Sequence, residues 1–176
     1  MQGFLLSLGI LLGIVSPQPD PELAVRLFRS NGQLCITVEV RGAVNAEVLK
    51  LIQAGNPLQL RITIAGPIGD ERQTFAHTIT CDPVQRLYTI DIFETAAQHR
   101  TANQLAAIDV FGRFYGLRLA PEEDIHFPAT IDIFGTLTAT GPVSFDTSVL
   151  WNYRTPRFHA EFGSLRDYQP APETGQ

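Results

Sequence analysis

From Leu23 to Val40 the apolar side chains fall on every second residue, and the rhythm breaks once, at Ser30-Asn31-Gly32. Leu23, Val25 and Leu27 alternate with Ala24, Arg26 and Phe28. Beyond the break, Leu34, Ile36, Val38 and Val40 share one face opposite Gln33, Cys35, Thr37 and Glu39. A period of two is the signature of a strand, and an Asn-Gly pair accepts the positive φ values that a two-residue hairpin turn demands. Residues 22–41 are therefore expected to form a β-hairpin.

The same rhythm recurs downstream. Asn45 can cap a short helix whose apolar stripe is Val48, Leu49 and Ile52 and which stops at Gly55, before Pro57. Leu58 to Ile64, Phe75 to Cys81 and Tyr88 to Ile92 alternate as three further strands. Thr101 with Gln104 has the form of a capping box. Ala102, Leu105, Ile108 and Phe111 then follow at helical spacing, with Tyr115 extending the stripe and Gly116 as a stop, which predicts a second helix over 102–114. A long extended run covers Ile125 to Thr138, where Pro128 calls for an edge or bulge and Gly135 permits a bend. Phe158, Ala160 and Phe162 suggest a last strand. The expected order is β-β-α-β-β-β-α-β-β. Strands with one apolar and one polar face belong to antiparallel sheets. The fold expected is mainly β with two helices, an antiparallel β-sandwich or curved sheet closed by those helices.

Phe4 to Val15 form a 12-residue apolar run, short of the roughly 20 residues of a bilayer span and within the roughly 7–15 of a signal-peptide core. No Lys or Arg precedes it, and Ser16-Pro17 is a poor cleavage site, so signal and uncleaved anchor both stand. Three prolines in Pro17 to Pro21 detach it from the hairpin. The organisation expected is a leader and Pro-rich spacer over 1–21, a single β-rich domain over 22–163 and a flexible tail over 164–176. The protein would be exported, periplasmic or membrane-tethered by residues 4–15.

With 44% hydrophobic and 18% charged residues the 176-residue chain can bury a core. Its net charge of −5 argues against nucleic acid, which requires basic surface to displace counterions. Cys35 and Cys81 are too few for a structural zinc motif, and whether they pair is not legible from their positions. No phosphate-binding glycine loop, nucleophile elbow or metalloprotease helix is present, and no cofactor or metal is expected.

The remaining candidates are sparse. Glu122, Glu123 and Asp124, with His126 nearby, could bind calcium or pair as acid and base, or could be a solvated loop. His77 shares a face with Phe75 and Ile79. It is either a base supported by a carboxylate such as Asp91 or a hydrogen-bonded buried histidine. Trp151, Tyr153, Arg154, Arg157 and Phe158 mix the residue types that dominate interface hot spots, unless Trp151 plugs one end of the sandwich.

The stretches Gly32 to Val40 and Ala46 to Ile62, the latter a short helix running through Gly55-Asn56-Pro57-Leu58 into a strand, resemble a family of bacterial exported proteins of unknown function. Members carry one β-rich domain behind an N-terminal hydrophobic segment. The later helix and the long strand around Ile131 fall in matching order. The chain departs from the family pattern at Ile64-Ala65-Gly66-Pro67, where many members have an Arg/Trp-rich stretch. The resemblance supplies no catalytic residues. It implies export and a non-enzymatic role. The leader, the sandwich pattern and the absence of reactive constellations lead to the expectation of a cell-envelope interaction or assembly module with an envelope or membrane-complex protein as partner, touching a membrane only through the N-terminal segment. The alternative is a periplasmic carrier holding a small ligand or lipid between the sheet and the second helix.

Overall fold

A computed structural model describes residues 20–67, 71–141, 151 and 154–164. The predicted leader lies outside the described residues, as does most of the predicted tail. Among the described residues, no helix is long and apolar enough to cross a membrane.

The hairpin forms as expected. Strand β1 (Glu22–Ser30) pairs with β2 (Gln33–Arg41) in unbroken register. Asn31 and Gly32 turn the chain with φ values of 51° and 71°. Helix α1 (Ala46–Gln53) begins at Asn45, whose Oδ1 accepts the backbone N–H groups of Glu47 at 3.1 Å and Val48 at 2.9 Å. These satisfy two donors that the first turn would otherwise leave open. Strands β3 (Leu58–Ala65), β4 (Arg72–Asp82) and β5 (Leu87–Ile92) follow. Between β3 and β4, Gly66 has φ +84° and lies so close to β8 (Ala129–Ala139) that a Cβ would overlap the Thr130 carbonyl oxygen. Both conditions require glycine.

Two strands escape the alternation rule. β6 (Ala97–Thr101) is exposed along almost its whole length and has no apolar row to betray it. It forms because the turn at 93–96 folds it back onto β5. The predicted second helix is also shorter than 102–114. Helix α2 (Gln104–Gly112) is capped by Asn103, whose Oδ1 accepts from Ala106 N–H at 3.1 Å. The chain then passes directly into β7 (Arg113–Pro121). Tyr115 and Gly116 therefore belong to a strand, not to a helix end. Gly116, with φ +61°, sits where the β2–β7 register shifts. One extra residue reverses the in–out parity between Phe114 and Leu117, which conceals the strand from a period-two reading. The inward face of α2 also differs from the predicted stripe: Ala107 and Phe111 are buried while Leu105 is 76% exposed. A helix apolar around most of its circumference does not specify its own buried face.

The observed order is β-β-α-β-β-β-β-α-β-β-β, with β9 (Arg157–Phe162) last. All pairs are antiparallel. They form a three-stranded sheet, β1-β2-β7, and a six-stranded sheet, β6-β5-β4-β3-β8-β9. One contiguous core joins the two, so the architecture is an antiparallel β-sandwich. β3 lies deep within it: Leu58, Leu60, Ile62 and Ile64 have no exposed surface, each burial contributing roughly 1.5–3 kcal/mol before entropy is counted. On one side the sheets meet where β1 approaches β9. On the other, α2 packs against β4, β5 and β6 and against β2 and β7. Pro128 precedes β8 rather than interrupting it.

Candidate functional site

The inward row of β4 is Phe75, His77, Ile79 and Cys81, and His77 is the one polar or charged residue buried among the described residues, at 1% exposure. Its ring stacks on Phe114 with centroids 4.0 Å apart. Nδ1 lies 3.1 Å from the Phe111 carbonyl oxygen. A carbonyl only accepts, so Nδ1 carries a proton. Nε2 lies 2.7 Å from Glu94 Oε1. One proton occupies that contact, either on the imidazole as an ion pair or on the carboxyl as a neutral hydrogen bond. Glu94 comes from the β5–β6 turn, and its Oε2 is buried without a partner.

The pair has the spacing of an acid–base dyad, yet the imidazole is buried, held against the Phe111 carbonyl of α2 and the Phe114 ring of β7. Its geometry suits a latch, tying the β5–β6 turn to the C-terminal end of α2. Asp91, the carboxylate considered from sequence, stands on the opposite face of β5 and accepts instead from Gln98 Nε2 at 2.8 Å. Residues Glu122–Asp124 form a 3-10 turn after β7. Arg29 Nε donates to Glu122 Oε1 at 2.6 Å, and its Nη2 engages Oε2. That guanidinium holds the Glu122 carboxyl below its ordinary range. Among the described residues, no group of three His, Cys, Asp or Glu is placed to hold a metal.

The cysteines are both buried and both free. Cys35 sits on the outer face of β2 between its cross-strand neighbours Phe28 and Arg118. Burial pushes its thiol up, partly offset by Arg118. Cys81 borders an open cleft of about 500 Å³ lined by Gln53, Arg86, Tyr88 and Gln104. The polar groups there largely satisfy one another: Gln53 Nε2 donates to Gln104 Oε1 at 3.0 Å, and the Tyr88 hydroxyl donates to the same oxygen at 3.4 Å.

The outer face of the three-stranded sheet is different in kind. Strand parity and pairing bring Arg26 from β1, Thr37, Glu39 and Arg41 from β2, and Arg113 and Tyr115 from β7 around a shallow cleft of about 370 Å³. Arg118 stands one row further along the same face. Glu39 serves two arginines, Arg41 at 3.5 Å and Arg113 at 3.9 Å, and Arg113 also meets Asp109 at 2.7 Å. Arg26 and Arg118 are exposed, and among the described residues neither has a carboxylate partner. Tyr115 is 70% exposed, with the Arg113 guanidinium 5.9 Å from its ring centre.

The structure disperses the residues singled out near the C-terminus. Trp151 is buried at 3% exposure, and its Nε1–H donates to the Ala43 carbonyl at 3.0 Å. It belongs to the buried core and is tied to the segment that precedes α1. Tyr153 lies outside the described residues. Arg154 is exposed and paired with Asp20. Arg157 is exposed on β9, whereas Phe158 packs against the core. Sequence reasoning missed Glu94, Tyr115 and the grouping of Arg26 with Arg113 and Arg118. The parity of Arg26 was legible, but its neighbours required knowledge of the β2–β7 pairing.

Compared with family models, curated proteins and solved structures, the chain matches none of them.

Proposed function

We propose that this protein is a non-enzymatic module of the cell envelope that works by holding a protein partner, and that the outer face of β1-β2-β7 is its binding surface. The observation that carries the proposal is that face itself: an exposed tyrosine beside two exposed arginines that have no carboxylate partner among the described residues. Arg and Tyr are over-represented among residues that dominate binding energy. Placement in the envelope rests on the apolar run from Phe4 to Val15 and its proline spacer. The carrier alternative lacks a comparable observation. Beneath the C-terminal half of α2 the space is filled by Ala107, Phe111, Phe114 and His77, all at 0–1% exposure, and the open cleft at its N-terminal end is lined by polar groups that bond one another.

Fractionation of cells making the full chain, with a photo-crosslinking residue at Tyr115 and a control at Thr138 on the other sheet, tests this. The expected result is recovery with the envelope and a crosslink to an envelope protein from position 115 only. Recovery in the soluble cytoplasm with Met1 intact, and no position-specific crosslink, would overturn it.

A further inference from the structure

Resting on that reading, we infer that the partner presents an extended acidic segment, and that Arg26 and Arg118 bind its carboxylates with Tyr115 packed beside it. The chain carries 18 acidic residues against 13 basic ones. A face on which arginines outnumber their carboxylate partners therefore runs against the charge of the molecule. Glu39 neutralises the Arg41–Arg113 end of the cleft. The other end, Arg26 and Arg118, is left with forked donors facing solvent, and the guanidinium fork matches a carboxylate in two parallel hydrogen bonds.

The spacing is set by the sheet. β1 and β7 flank β2 and so lie about 10 Å apart, and the Arg26 row and the Arg118 row differ by two residues, about 7 Å. The backbone positions that carry the two arginines are thus about 12 Å apart, close to the roughly 13 Å between residues i and i+4 of an extended chain. The shallow cleft between Arg26 and Tyr115 runs from β1 to β7, about 10 Å, which is room for one extended strand. Beyond the face, the acidic remainder of the molecule repels a large polyanion such as nucleic acid or an anionic membrane.

Fluorescence anisotropy of a labelled peptide alternating Glu and Thr, with the full chain at a Debye length of about 30 Å, tests the inference. A Lys–Thr peptide and phosphatidylglycerol vesicles serve as competitors. The acidic peptide is expected to bind and the basic one not to. Arg26→Glu with Arg118→Glu should weaken binding about tenfold or more. Glu39→Gln should tighten it about threefold, a gain that misfolding cannot mimic. Absence of peptide binding, an unchanged affinity in the double variant, weaker binding by Glu39→Gln, or preference for the vesicles overturns the inference. If the peptide fails while crosslinks from position 115 still identify an envelope protein, the acidic-segment inference falls and the interaction reading stands. If both fail, both fall.

Discussion

Replacing Glu94 with alanine removes the carboxylate partner of His77 Nε2 while leaving the imidazole buried at 1% exposure. Breaking a buried ion pair by deleting one member costs about 3–5 kcal/mol. If the contact is instead a neutral hydrogen bond, the orphaned nitrogen costs about 1–3 kcal/mol. The Glu94 side chain is 12% exposed, so water can partly replace it, and the expected loss is about 3 kcal/mol, or roughly 10 °C in Tm for a domain of this size. Glu94→Gln should lose less than half as much, because an amide can either accept from or donate to Nε2. His77→Phe keeps the stack on Phe114 but orphans both the carboxylate and the Phe111 carbonyl. Combined with Glu94→Ala it should cost well under the sum of the single changes, with a coupling of about 2 kcal/mol. Thermal and denaturant melts give these numbers. Hydrogen exchange should show the loosening concentrated in residues 93–101, the turn and β6. Additive single effects, or a Glu94→Ala protein within about 0.5 kcal/mol of the parent, would refute the latch.

Three further outcomes follow from the same structure. Arg29 depresses the Glu122 carboxyl, so their pairing stabilises the fold above the unfolded carboxyl value of about 4.3 and is lost as pH falls through the lower folded value. Melts of Glu122→Gln and parent should therefore differ at pH 7 and converge in strong acid, and a gap that persists there would contradict the assignment. Trp151→Phe deletes the Nε1–H bond to Ala43 and some buried volume. A loss of about 1–2 kcal/mol is expected with crosslinking from position 115 retained; unchanged stability with loss of the crosslink would reinstate Trp151 as a contact residue. Gly66→Ala should cost more than about 3 kcal/mol or prevent folding, because its Cβ overlaps the Thr130 carbonyl. Gly32→Ala, with similar φ but open space around it, should cost only about 1 kcal/mol; equal costs would show that crowding at Gly66 is not the cause.

Local patterns carried the sandwich a long way. The alternation in Leu58 to Ile64 and in Ala129 to Ala139 required one buried face, and these strands became neighbours in the six-stranded sheet. Asn31-Gly32 demanded a tight turn and Asn45 demanded a helix start, because both act within three or four residues of chain. Parity alone even places Asp91 on the polar side of β5, away from His77.

What local patterns could not reach depended on residues distant in sequence. β6 has no hydrophobic signature because neither of its faces is buried, so only its hydrogen bonds to β5 make it a strand. β7 is disguised by the bulge at Gly116, whose cause is the register of β2. α2 is apolar on most sides, and the sheets decide that Phe111 turns inward and Leu105 outward. Glu94 meets His77 because a turn carries it across the β4–β5 hairpin, and Arg26 joins Arg113 and Arg118 only because β7 returns to pair with β2. Side-chain parity is a property of a strand and is fixed by the covalent geometry of a few residues. Which side chains share a surface is a property of strand pairing, settled by the burial of one common core.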